Sequence, residues 1–419
     1  MAEVKQKRES LGLAFNRLWS ASLASNVADG LFKTAVPLLA ATLTHDPFII
    51  SLLAAMVMLP WLLFAIPIGG LVDRIDRRLA LATANAARFI LAFVLAIAVG
   101  TGSVNIPILY LVAFLMGIAE VAYDTTAQSL IPQMLKPQHL ERGNSRLEIG
   151  AVTTGEFVGA PLSGLLYAIS IALPFFWGAI GIGVATVLLY LIPKQYIHAE
   201  NVKPVSTDVS SEPKTGYWAD IRFGIKYLYN DKTLLKLVLF TSFVGFWFAA
   251  SSSTYVLFLL KVIHVQPAFF GLMLSIPAIG SIIGSVILPR VSDRFGRVNV
   301  MAIAIFASGF ATFATGFVSD IFTLAAVSIL NSIAITFWNV LLMSTYHQII
   351  PNHLFGRIHG TRRTLVWGMM PIGSAVGGLL AVMDLRAPFL IAGGICALAS
   401  LLGIPFVRSL GRLLPAKTD

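Results

Sequence analysis

Twelve stretches of mainly apolar residues, divided by short polar turns, run along the 419-residue chain. Measured against the roughly 20 residues a helix needs to cross a bilayer, they fall near 16–43, 48–71, 79–100, 105–131, 143–168 and 171–192. A second set falls near 233–260, 267–289, 298–318, 321–349, 357–382 and 387–408. Breakers stand where turns are needed: HDP at 45–47, GTGS at 100–103, LP at 173–174 and RAP at 386–388. Between the sets, 194–231 is polar, contains VKPVSTDVSSEPKTG and reads as a linker. Its last part, GYWADIRFGIKYLY, spaces apolar residues at helical intervals beside Arg222 and Lys226, which predicts an amphipathic helix on the membrane surface. The expected fold class is an all-α polytopic membrane protein, with twelve transmembrane helices in two six-helix repeats. The expected organisation is an N-terminal six-helix bundle over 1–193, the linker over 194–231 and a C-terminal six-helix bundle over 232–419.

The halves echo one another. GGLVDRIDRRLAL after span two and RVSDRFGRVNV after span eight place Asp73 and Asp293 at an offset of 220. Ile131-Pro132 and Ile350-Pro351 close spans four and ten, and spans five and eleven are both glycine-rich. Two such halves about a central linker suit a transporter whose halves rock around a site near the midplane.

Composition narrows this further. Hydrophobic residues make up 57% of the chain and charged residues 12%, about half of what a soluble domain carries, so the solvent is lipid. The net charge of +10 raises nucleic acid as a partner. However, 25 of the 30 lysines and arginines fall on the side of the tails, the linker and the loops after even-numbered spans, in those segments or at the span ends beside them, and only Lys261 and Arg386 fall on the opposite side. That split is the positive-inside pattern. It places both termini in the cytoplasm and removes the nucleic-acid reading. The basic start, MAEVKQKRES, leads into a span holding Asn26, Asp29 and Lys33, a poor signal-peptide core, and is read as a retained first span. The single Cys396 excludes an intrachain disulfide framework. The seven histidines show no ligand spacing, so no metal site and no cofactor are expected. A phosphate-binding glycine loop and a nucleophilic constellation are both absent from the sequence, so an enzyme is not expected.

Ionisable groups at membrane depth cost about 2.5–3.5 kcal/mol each on insertion scales and default to functional candidates. Span one carries Ser22, Asn26, Asp29 and Lys33 on one helical face, with Asp29 and Lys33 spaced to pair. The pair serves either transport or simply the orientation of span one. Span four carries Glu120, Asp124 and Gln128 at steps of four, with Tyr123 alongside. Two carboxylates on one face repel, and one of them is then able to hold a proton near neutrality, unless Arg88 or Arg146 neutralises it. Span five adds Glu148, near the cytoplasmic mouth, and Glu156, the better candidate. The second half offers Ser251, Ser252, Ser253, Thr254, Asn331, Trp338, Asn339 and Trp367, polar or aromatic but uncharged, as a wall for substrate. Its acids Asp293, Asp320 and Asp384 are expected in loops.

The loop Gly69-x-Leu71-x-Asp73-Arg74-x-x-Arg77-Arg78 resembles the signature loop of the major facilitator superfamily, with Asp76 in place of the usual second glycine. LPWLLFAIPIGGLVDRIDRR, AEVAYDTTAQSLIP, LERGNSRLEIGAVTTGEFVGAPLSGLL and IPNHLFGRIHG are similar to that family's drug, macrolide and siderophore exporters. Gly155, Gly159, Pro161 and Gly164 resemble the antiporter motif of proton-coupled exporters, although small residues four apart also serve close helix packing. The resemblance implies a gate in which Asp73 latches the cytoplasmic side while Arg74, Arg77 and Arg78 fix orientation. Asp293, Arg294 and Arg297 form a weaker copy, with Pro289 where the first half has Gly69, so Asp73→Asn is expected to impair transport more than Asp293→Asn. The resulting expectation is proton-coupled efflux of a small amphipathic or hydrophobic compound by a monomer in the cytoplasmic membrane. Its partners are then the substrate, protons and lipid. The alternatives are a proton-coupled metabolite importer, or a lipid flippase or non-transporting receptor.

Overall fold

Among the described residues twelve helical spans form, because the apolar runs leave the backbone no hydrogen-bonding partner but itself once lipid surrounds them. The computed structural model describes residues 11–72, 75–192, 225–351 and 354–412. The first half comprises α1 (Leu13–Leu43), α2 (Pro47–Val72), α3 (Arg77–Gly100), α4 (Ile106–Met134), the segmented α5 and α6 (Leu173–Tyr190). In α5 a π-helical stretch, Val152–Gly159, joins the α-helical segments Leu140–Ala151 and Ala160–Ile169. The second half comprises α7, in two segments Lys232–Ser252 and Tyr255–Lys261, then α8 (Pro267–Phe295), α9 (Arg297–Thr315), α10 (Ile321–Ile349), α11 (Phe355–Met383) and α12 (Ala387–Ser409). No strand occurs among the described residues. Eleven spans meet the length and hydropathy expected of a membrane crossing. The exception is α1, whose Arg17, Asn26, Asp29 and Lys33 dilute its apolar character over 31 residues.

Several spans outrun the apolar ruler. α8 continues six residues past 289, so Asp293 and Arg294 sit on its last turn and not in a loop as expected. Helices continue into water on their own backbone bonds, which hydropathy does not register. Asp76, the departure from the signature loop, caps α3 by accepting from the backbone N–H groups of Arg78 and Leu79. At the equivalent place in the second half, Gly296 turns the chain with φ 81°, a left-handed conformation that suits glycine. Asp73 and Arg74 lie outside the described residues, as does most of the linker.

Three buried clusters decide the shape. At the face where α1 begins and α12 ends, one cluster belongs to the first half alone, with Phe15, Leu18, Leu81, Leu130 and Leu189. Another at that face belongs to the second half alone, with Leu237, Val300, Trp338, Tyr346 and Val407. At the opposite face a single cluster joins both halves, setting Phe32, Leu39, Ile50 and Phe175 against Phe258, Phe270 and Phe389. The halves are therefore sealed together at the far face and separated at the face of the chain ends.

Backbone-level contacts hold the far seal. A Cβ on Gly271 of α8 would collide with the main-chain carbonyl of Ala160 in α5, so the two helices touch there without side chains between them. Within the first half, Gly30 and Gly159 bring α1 and α5 together in the same way, Gly30 lying against the carbonyl of Gly155. Ser163 Oγ completes this seam by donating to the Leu31 carbonyl at 2.8 Å.

Candidate functional site

Polar groups gather where the two halves diverge. Arg88 projects from α3 into the first half with its side chain 3% accessible. It donates to Asp29 of α1, to Ser25 Oγ at 3.0 Å and to Asn85 Oδ1 at 3.3 Å, and its guanidinium lies 5.4 Å from the Tyr123 ring centre. Asn85 in turn donates to the Ile182 carbonyl and to Thr186 Oγ1, which ties the cluster to α6. A guanidinium buried this deeply needs a carboxylate beside it. The local pairing expected of Asp29 with Lys33 is therefore corrected: Asp29 serves Arg88, and Lys33 reaches across to Glu156 of α5 at 2.6 Å.

The two ion pairs differ in kind. Lys33 and Glu156 are 59% and 30% accessible, so water in the opening between the halves screens them. The π-helical turn that carries Glu156 also frees its backbone carbonyl, which accepts a hydrogen bond from Ser275 of α8. One residue thus meets α1 of its own half through its side chain and the second half through its backbone.

Glu120 and Asp124 lie on α4 within electrostatic reach of Arg88. Among the described residues, neither forms an ion pair within 4 Å or accepts a hydrogen bond. Arg146 does not neutralise them either, since it stacks on Trp19 at 4.2 Å. Asn26 donates to Ser22 Oγ at 3.0 Å, and Glu148 is exposed on the first segment of α5, eight residues before Glu156.

Below this cluster, toward the face of the chain ends, lies a cavity of about 230 Å³ between α2, α4 and α11. Trp61, Thr125, Gln128, Arg363, Thr364 and Trp367 line it. Gln128 and Trp367 are thus among the cavity's residues. Trp338 does not: it is buried against Phe240 in the core of the second half. Asn339 is exposed and is not among the cavity's residues. The expectation that the second half brings no charge to the site is also corrected, because Arg363 stands two turns inside α11. The pair Arg362-Arg363 lies near the start of its span and resembles the basic flank that positive-inside counting collects. The tryptophan four residues on was the available signal, since Trp367 lies over the same helical face.

The glycines of α5 act in packing. Gly155 and Gly159 face α1, and Gly164 faces the backbone of Pro267 and Ala268 in α8, while Pro161 opens the last segment of the span. Gly69 is loosely placed, an added Cβ meeting only Thr125 at 3.9 Å. The basic residues of the two loops hold neighbouring helices. Arg77 donates to the Ser129 carbonyl at 3.4 Å, Arg78 to the Tyr190 carbonyl, and Arg297 to Ser344 Oγ, while Arg294 stacks on Phe295. Arg77 and Arg297 are 220 residues apart, and each reaches the fourth helix of its half (α4, α10). Among the described residues no group of three or more His, Cys, Asp or Glu side chains is placed to hold a metal ion.

The profile of the Major Facilitator Superfamily matches the chain twice, over residues 18–264 and 238–417. In sequence, the chain is similar to Macrolide efflux protein A of Streptococcus pyogenes, 20% identical over 389 residues that cover 90% of this chain and 91% of that protein. In fold, it is similar to a bacterial homologue of the iron transporter ferroportin in an inward-facing state, with TM-score 0.75, 16% identity, and coverage of 95% and 100%. It is also similar to the nucleoside transporter NupG, with TM-score 0.73, 14% identity, and coverage of 96% and 100%. At these identities the structural likeness speaks for the fold alone.

Proposed function

From the premise that the chain belongs to the Major Facilitator Superfamily, we propose that this multi-pass membrane transporter couples proton movement to the export of a small amphipathic compound. The observation that carries the reading is the pair Glu120 and Asp124. They stand unpaired among the described residues, on one face of α4, beside a buried Arg88 already committed to Asp29. Counting Asp29, three carboxylates share two cations, Arg88 and, for Asp124, also Arg363, and this excess of carboxylates favours retention of a proton by one of them. Proton uptake then changes the charge between the halves, which is the lever a rocking carrier needs. The similarity to Macrolide efflux protein A supports outward transport. The lysine and arginine distribution supports cytoplasmic termini, so the open face is the cytoplasmic one. By that orientation the chain sits in the cytoplasmic membrane.

The test is transport in inverted vesicles under an imposed pH gradient, with a cationic dye, a macrolide and a siderophore as cargo. Wild type is expected to move one of them in step with proton release. Glu120→Gln, Asp124→Asn and Glu156→Gln, taken singly, are expected to abolish that movement at normal expression. Full activity in all three variants sinks the coupling.

A further inference from the structure

The geometry points to Arg363 and its two tryptophans as a subsite for an anionic head group, a carboxylate or phosphate carried by a compact ring or apolar body. The inference rests on the transport reading and adds the chemical class of the cargo. Arg363 lies in the corner of an edge-to-face pair of indoles, 4.8 Å from the Trp61 ring centre and 4.4 Å from that of Trp367, the ring centres being 5.3 Å apart. One ring comes from each half of the protein. Held over two rings inclined at 63°, the guanidinium is confined by contacts that need none of its five N–H donors.

Those donors are not otherwise engaged. Among the described residues Arg363 makes no hydrogen bond and has no carboxylate within 4 Å. Asp124 acts on it only from beyond that distance. The contrast with its neighbour is informative, since Arg362 turns away into the second half and lies over the Tyr346 ring at 4.5 Å. A cation held in place with free donors, facing Thr125, Gln128 and Thr364, is matched to an anion able to accept two parallel hydrogen bonds.

Space sets the size. The recess is about 230 Å³, below the range of roughly 300–1,000 Å³ typical of sites for drug-sized ligands. It therefore takes a small aromatic acid whole, or the acidic end of something larger. Gly360 adds to the room, because a Cβ placed there meets no atom within 4 Å.

The test uses three probes of one shape and different charge, naphthoate, naphthylmethylammonium and naphthalenemethanol. Each is titrated calorimetrically into the purified full-length protein at neutral pH. Naphthoate is expected to bind at least about tenfold more tightly than the other two, the factor one charge-assisted hydrogen bond supplies. Arg363→Gln is expected to erase that preference, Arg363→Lys to keep part of it, and Gly360→Leu to weaken all three probes. Equal binding of the three probes, preference for the ammonium, no naphthoate binding, or naphthoate binding unchanged in Arg363→Gln or Gly360→Leu each overturns the subsite. Transport under a pH gradient separates the two readings. Naphthoate preference without any driven transport defeats the carrier reading and leaves the subsite standing. Driven transport without an anion preference defeats the subsite alone.

Discussion

Replacing Asp29 by asparagine isolates the buried charge on which the first half is built. Arg88 would keep its bonds to Ser25 and Asn85, which are neutral, and lose the one carboxylate in contact with it. Breaking a buried pair from one side costs about 3–5 kcal/mol. The low end, about 3 kcal/mol, applies because Asp29 is 39% accessible and Glu120 and Asp124 still face the guanidinium. At roughly 2–4 °C per kcal/mol for a unit of about 200 residues, the unfolding midpoint falls by about 6–12 °C. Cys396 supplies the assay: it is the single cysteine and it is buried, so a thiol-reactive fluorogenic dye lights up only as the chain unfolds. Asp29→Asn combined with Arg88→Met removes the stranded charge and is expected to recover more than half of the loss. Lys33→Met, by contrast, breaks an exposed pair worth about 0–1 kcal/mol and shifts the midpoint little. A midpoint unchanged in Asp29→Asn, or a larger fall in Lys33→Met, refutes this division of partners.

Gly271→Leu places a side chain where α8 meets the Ala160 carbonyl. Overpacking of this kind costs about 1–3 kcal/mol and falls only on the state in which the far face is shut. The expected result is a shift of population toward far-face opening, read as a longer distance between spin labels on the two halves. Asp320 caps α10 by accepting from the backbone N–H groups of Phe322 and Thr323. A hydrogen bond with the Thr323 side chain, and then those backbone bonds, hold its carboxyl below the ordinary aspartate range. A depressed value in the folded state gives stability that is present above the unfolded value and lost as pH falls through the folded one. Asp320→Ala is therefore expected to lower the unfolding midpoint at neutral pH, and the gap from wild type to close below about pH 4.

The spans were readable in the sequence because a bilayer imposes one length on every apolar run. The apolar run at 321–349 coincides with α10, Ile321–Ile349. The partners inside the membrane were not readable. Asp29 has a cation four residues away on its own helix and another on α3, and helical spacing offers only the first. Burial decided between them, because Arg88 has no water to fall back on and Lys33 has. The π-helical stretch of α5 was also hidden, since Gly155 and Gly159 announce close packing without announcing a change of hydrogen-bond register. Arg363 is hidden in the sequence for an electrostatic reason. Near the start of a span, a cation serving orientation and a cation serving a site have the same sequence signature, and only the two indoles around it separate them.

The central claim is that this chain alternates between two faces, driven by proton occupancy on α4. Spin-label distances across the halves test it most directly, in a Cys396→Ser background within lipid nanodiscs. One pair, Lys136→Cys and Arg290→Cys, spans the face that is open in this structure. The other, Ser103→Cys and Gln266→Cys, spans the sealed face, and all four positions are exposed. Between pH 8 and pH 5.5 the account predicts two populations at each face that change in opposite senses. It also predicts that combining Glu120→Gln with Asp124→Asn abolishes this response. A single distance at each face throughout, or both faces opening together, contradicts it.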